Sequence, residues 1–161
     1  MIDNKDIKIL NILQTNCRVS NAEIARQMNM APSAILERVR KLEKKGIIRG
    51  YELRLDPGNM GLSLTVIILV KTEENVGSTR IGRDLAAISE IQEVYFTAGE
   101  YSYMVKARLA DTDALTALLQ KMGAVSGIRD TRTTFVLDTI KESAGLDLDG
   151  PVANTRKSTD K

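Results

Sequence analysis

The sequence predicts an α+β chain in two parts: a helix-turn-helix unit with a wing, followed by a βαββαβ sandwich. Three observations carry this. The apolar period is helical up to about residue 50, whereas beyond residue 61 strand-like and helix-like stretches alternate. Between the two regimes lies RLDPGNMG, Arg54 to Gly61, whose Pro57, Gly58 and Gly61 break both helix and strand. Charge divides at the same place, with 11 Lys plus Arg against 6 Asp plus Glu from Met1 to Leu55 and 12 against 15 in the remainder. A net charge of +5 thus gives way to −3, and a local positive field of that kind attracts phosphate. The expected organisation is residues 1–52 as the helical unit, 53–61 as linker, 62–141 as the sandwich and 142–161 as a partly disordered extension.

Asp3 caps a first helix to Gln14, in which Ile7, Leu10 and Leu13 recur at helical spacing. After a turn at Thr15 to Val19, Ser20-Asn21-Ala22-Glu23 reads as a capping box opening a second helix to about Met28, which buries Ile24 and Met28. Asn29, Met30 and Ala31 connect to a third helix, and Pro32 suits its first turn because the missing N–H would be unpaired there. Helix, short turn and helix make the helix-turn-helix arrangement. On Ser33 to Lys45, Ile35, Leu36, Val39 and Leu42 gather into an arc about 120° wide that faces a core. Opposite it fall Ala34, Arg38, Lys41 and Lys45, a small residue among three cations, which suits a helix set deep in a major groove. A solvated surface helix is the plainer alternative, since charge runs are common. Gly46 ends the helix, and Ile47 to Tyr51 reads as a short strand and turn, a candidate wing.

Beyond the linker, Ser63 to Lys71 is a β-branched run, Ser78 to Ile88 a helix and Gln92 to Thr97 a strand. The order repeats as strand Tyr101 to Leu109, helix Thr112 to Met122 and strand Ile128 to Leu137. Two such halves make a ferredoxin-like sandwich with helices on one face. Apolar residues on both phases of Ser63 to Val70 predict that the other face is covered too, economically by a second copy of the chain.

Composition removes much chemistry. There is no histidine and Cys17 is alone, which excludes internal disulfides, Cys/His zinc sites and histidine-assisted nucleophiles. No spacing singles out a pair of catalytic acids, so no catalytic residue, metal or cofactor is expected. Asp3, Lys5, Asp6 and Lys8 occupy the place of a secretory apolar segment, and the run Leu62 to Val70 is too short to span a bilayer as a helix. A cytoplasmic protein without a membrane partner is expected.

Four motifs, in order, resemble the Lrp/AsnC (feast/famine) family of transcriptional regulators: ILNILQTNCRVSNAEIA (Ile9 to Ala25), ILERVRKLEKKGII (Ile35 to Ile48) followed by Gly50 and Tyr51, GEYSYMVK (Gly99 to Lys106) and GIRDTRT (Gly127 to Thr133). The resemblance runs from about Ile2 to Ile140. It implies a dimeric regulator of double-stranded DNA, with a sandwich of RAM type that dimerises, assembles further, as in an octamer of four dimers, and binds a small effector such as an amino acid. Ala34, Arg38 and Lys41 would meet bases or nearby phosphates, and Ser33, Arg40, Lys45 and Arg49 would hold the DNA backbone. The effector loop would be Gly99, Glu100, Tyr101, Ser102 and Tyr103, with Thr133.

Two departures from the family pattern stand out. Ala31 occupies a position where members commonly carry Ser or Thr, leaving the third helix without a side-chain cap, a local cost of about 1 kcal/mol. Ser102 replaces the carboxylate that pairs with an amino acid's ammonium in effector-binding members, and a hydroxyl offers only a neutral hydrogen bond. The second departure keeps open a DNA-architectural protein without an amino-acid effector. An enzyme is a third reading, because sirohaem decarboxylases resemble the same fold, but the absence of histidine and the intact basic helix weigh against it, so no enzyme is expected.

Overall fold

The computed structural model describes residues 2–148 and divides into two compact units, residues 2–53 with 142–148, and Arg54–Lys141. In the first unit α1 (Asn4–Thr15) opens on a complete capping box. Asp6 N–H donates to Asp3 Oδ1 at 2.8 Å, and Asp3 N–H donates to Asp6 Oδ2 at 3.2 Å. The box expected at α2 (Asn21–Met28) is made by halves: Ser20 Oγ accepts from Glu23 N–H at 3.1 Å, but the Glu23 carboxylate turns to Arg26 and Gln27. A bidentate guanidinium is a stronger partner for a carboxylate than one backbone N–H. Asn29 ends α2 with φ 51°, a left-handed conformation that Asn tolerates better than most residues. Next comes α3 (Pro32–Lys44), with proline in its first turn and no side-chain cap from Ala31.

Ile9, Ile24, Ala25, Ile35 and Val39 form the core of this unit, with Ile12, Leu13, Val19, Met28, Met30 and Ile48 packed around it. The strand expected at Ile47 to Tyr51 does not form. Residues 45–48 are turn and bend, and residues 49–56 carry no regular structure. A strand needs a neighbour for its backbone groups, and among the described residues none is ladder-paired to this stretch.

The segment after Glu142, expected as a partly disordered extension, is anchored on α1 by a two-point bond. Gln14 Nε2 donates to the Leu146 carbonyl at 3.1 Å and Leu146 N–H donates to Gln14 Oε1 at 2.6 Å. The remainder of that expectation, residues 149–161, lies outside the described residues.

In the second unit a single 3-10 turn (Gly58–Met60) precedes β1 (Leu64–Thr72), α4 (Arg80–Ala86), β2 (Ile91–Phe96), β3 (Tyr103–Leu109), α5 (Thr112–Gly123) and β4 (Ile128–Val136). The sheet is antiparallel in the order β2-β3-β1-β4, the arrangement that two interlocked βαβ halves require. Val66, Ile68, Val70, Tyr103, Val105, Ala107 and Leu109 alternate along the two central strands and meet Ile81, Leu85, Leu115, Leu118 and Met122 of the helices. Each fully buried aliphatic side chain there contributes about 1.5–3 kcal/mol. On the opposite phase Ile67 and Leu69 of β1 stand level with Lys106 and Met104 of β3, only half-buried on the face without helices.

Candidate nucleic-acid interface and ligand loop

The core decides which face of α3 is free. Ile35, Val39 and Leu42 are buried, whereas Leu36, expected among them, is 36% exposed. Leu36 instead lines a shallow groove with Leu13, Cys17, Val19 and Tyr51. Dropping Leu36 from the buried arc turns the outward face by roughly 30° at 100° per residue. That face now carries Ser33, Glu37, Arg40, Lys41 and Lys44, all exposed, while Ala34 is half-buried toward one side and Lys45 lies just past the helix end. Arg49 is exposed in the irregular segment that follows.

Arg38 corrects the sequence-based expectation. Its Nη1 donates to Asp6 Oδ1 at 2.7 Å and Asp3 Oδ2 at 2.8 Å, and its side chain is 29% exposed. It belongs to a bridge from the middle of α3 to the start of α1 and is not a free outward cation. The two carboxylate hydrogen bonds raise the Arg38 pKa further. In return, the Asp6 N–H and then Arg38 hold Asp3 below its ordinary range. Lys44 and Glu37, on the outward face, were not among the expected residues. The signal for them lay in the helix phase, once the buried arc is centred on Ile35, Val39 and Leu42.

In the second unit Thr97 to Ser102 connect β2 to β3, with Gly99 at φ 139°. Backbone and side chains pin this loop. Thr97 N–H donates to the Ser102 carbonyl at 2.8 Å, Thr97 Oγ1 donates to the Tyr101 carbonyl at 2.8 Å, and Ser102 N–H donates to the Val70 carbonyl at 2.9 Å. Thr72 Oγ1 donates to Ser102 Oγ at 3.0 Å, and Glu100 lies 3.6 Å from the Lys71 ammonium. Tyr101 is half-buried.

Tyr103 and Thr133 need correction as members of that loop site. Tyr103 is 1% exposed on the helix-covered face, so its ring is core. Its hydroxyl donates to Glu74 Oε2 at 2.6 Å and to the Ser78 carbonyl at 3.3 Å. Burial, reinforced by the Glu74 charge, pushes the Tyr103 phenol up to about 12. Burial works against the Glu74 charge as well, but hydrogen bonds from Tyr103, Ile81 N–H and Ser78 outweigh it and leave the carboxyl below its usual range. Thr133 stands opposite Ile68, on the helix-covered phase of an outer strand, while the β4 residue level with Tyr103 through Val70 is Thr131. Two residues along a strand and one whole strand across put Thr133 about 10 Å or more from the loop. Glu74 was missed because nothing local in the sequence ties it to a tyrosine 29 residues away.

Residues 2–49 match a model described as winged helix-turn-helix DNA-binding, and residues 65–146 match the Lrp/AsnC ligand binding domain. A leucine-responsive regulatory protein of Haemophilus influenzae is 36% identical over 146 residues, covering 88% of this chain and 87% of the relative. The HTH-type transcriptional regulator FL11 of Pyrococcus horikoshii is 37% identical over 145 residues, covering 90% and 95%. Among solved structures, a transcriptional regulator of Neisseria meningitidis in complex with L-methionine superposes with a TM-score of 0.85 at 30% identity, over 92% of this chain and 98% of that one. A feast or famine regulatory protein of M. tuberculosis, also complexed with L-methionine, gives 0.84 at 29% identity over 91% and 99%.

Proposed function

This chain belongs to the Lrp/AsnC family of DNA-binding transcriptional regulators, and from that premise we propose that it reads double-stranded DNA with the outward face of α3, as a homodimer. The exposed cluster of Ser33, Arg40, Lys41 and Lys44 on that face is the observation that carries the reading. Lys41 and Arg40 meet bases or adjacent phosphates, Ser33, Lys45 and Arg49 hold the backbone, and half-buried Ala34 lets the helix approach closely. Arg38 supports this from behind by fixing α3 on α1. The half-buried apolar row of Ile67 and Leu69 favours a second copy as the cover of the open sheet face, and a dimer carries two α3 helices, the number that a two-half-site operator needs. Further assembly into an octamer of four dimers is part of the same proposal, as is action in the cytoplasm.

An amino-acid effector enters through the relatives bound to L-methionine. Its site here would be built on Gly99, Glu100, Tyr101 and Ser102, with Glu100 the one carboxylate of the loop and Ser102 a hydroxyl shared with Thr72. That same Ser102–Thr72 bond favours a second reading, in which the protein coats DNA with no amino-acid response. Footprinting with a panel of amino acids separates them. A defined footprint altered by one amino acid supports effector control, and a uniform coat insensitive to all of them supports the second.

A further inference from the structure

We propose that Glu37 is a specificity-determining residue that reads cytosine in the major groove; the inference rests on α3 being the DNA-reading helix. Three observations place it there. Glu37 lies within about 20° of the direction opposite the buried Ile35, Val39 and Leu42, so it stands at the centre of the outward face. It is one turn beyond Ser33, in the first half of α3, the half of a recognition helix whose side chains reach base edges. It is exposed and makes no hydrogen bond or ion pair among the described residues, although Arg40 and Lys41 follow at helical spacing. The other helix acid, Glu43, accepts from the Tyr51 hydroxyl at 3.0 Å.

An unpaired carboxylate in the middle of a cationic face opposes any approach to phosphate. It is compensated only by a donor, and the major groove offers donors at cytosine N4 and adenine N6. Adenine sets its N7 acceptor beside that donor, which repels a carboxylate, whereas cytosine presents its amino group alone. Glutamate therefore selects cytosine, while Arg40 and Lys41 on either side neutralise the neighbouring phosphates. The rotation of α3 that centres Glu37 is held by the Arg38 bridge to Asp3 and Asp6.

Selection of bound duplexes from a randomised DNA pool, using the full chain and its Glu37→Gln and Glu37→Ala variants, tests the assignment. Expected for the unsubstituted chain is a motif with an enriched C·G pair in each half-site. Glu37→Gln should move that position from C to A, because an amide both accepts and donates, with a preference change of about fivefold or more. Glu37→Ala should lose the preference there while binding random DNA more tightly. A motif unchanged at every position in both variants overturns the role of Glu37 and leaves DNA reading by α3 standing. A pool without enrichment for the unsubstituted chain overturns sequence-specific reading itself, and Glu37 with it.

Discussion

The two units hold their functional elements in opposite ways. In the amino-terminal unit a core cluster of five buried residues orients three helices, and an ion-pair bridge from Arg38 to Asp3 and Asp6 helps hold α3 at its surface. In the sandwich a core cluster of thirteen holds the fold, and the residue that follows the β2–β3 connection, Tyr103, is itself part of that core. Orientation in the first unit therefore depends on charge and on a few side chains. In the second it depends on close packing.

The sharpest way to break this contrast is to remove volume from the smaller core. Ile35→Ala should cost about 2–5 kcal/mol, enough to unfold a unit with so few buried side chains. DNA binding should vanish while the sandwich keeps its unfolding transition, read by calorimetry. Loss of both transitions together would show that the units fold as one.

Adding volume to the larger core comes next. A Cβ on Gly82 would lie 2.5 Å from Tyr103 Cε1, deep beneath α4. Gly82→Ala should destabilise the sandwich by about 1–3 kcal/mol, seen as a lower urea midpoint, with α3 untouched. A neutral result would mean that the Tyr103 ring yields more readily than its burial implies.

Exchanging the charges of the bridge probes the first unit more gently. Arg38→Ala should weaken operator binding roughly fivefold, the scale of a partly exposed ion pair. Arg38→Asp combined with Asp6→Arg should recover part of that loss in a binding titration. If Arg38 touched DNA directly, an aspartate there would repel phosphate and the exchange would make binding worse.

The smallest effects are in pH. Asp3 has a folded pKa below its ordinary 3.8, so its contribution is present above that value and fades as pH falls through the lowered one. Tyr103 is raised from 10.0 to about 12, so its contribution is complete below pH 10 and is lost as pH rises from there toward 12. Acid should loosen both units, through Asp3 in the first and Glu74 in the second, whereas the alkaline loss should be larger in the sandwich, through Tyr103. Tyr103→Phe should reduce the alkaline slope in urea unfolding followed across that range, with Tyr51 and Tyr95 left to contribute the remainder.

Most of the fold was legible in residue order. Ser20 and Asp3 cap where their types suggest, Pro32 opens α3, and the two βαβ halves follow the change of period after Gly61. The wing strand was misread at Ile47 to Tyr51 because alternation records what a backbone can do and not whether a partner strand is there to bond it. The effector loop was legible as a motif, but its membership was not. A spacing of one residue puts Ser102 in the connection and Tyr103 in the core, and only the register shows that Thr133 belongs to another part of the sheet.

The sequence by itself determined the two-part α+β architecture, the basic character of α3 and the family, since all three are written in local period, local charge and motif order. Tertiary structure alone decided how α3 is turned. Leu36 and Arg38 look equally plausible in core and groove on a helical wheel, but the facing side chains of α1 claim Arg38 as an ion-pair partner and leave Leu36 at a groove's rim. That rotation brings Glu37 and Lys44 to the front. A helix encodes its own period, whereas its phase is set by what it packs against.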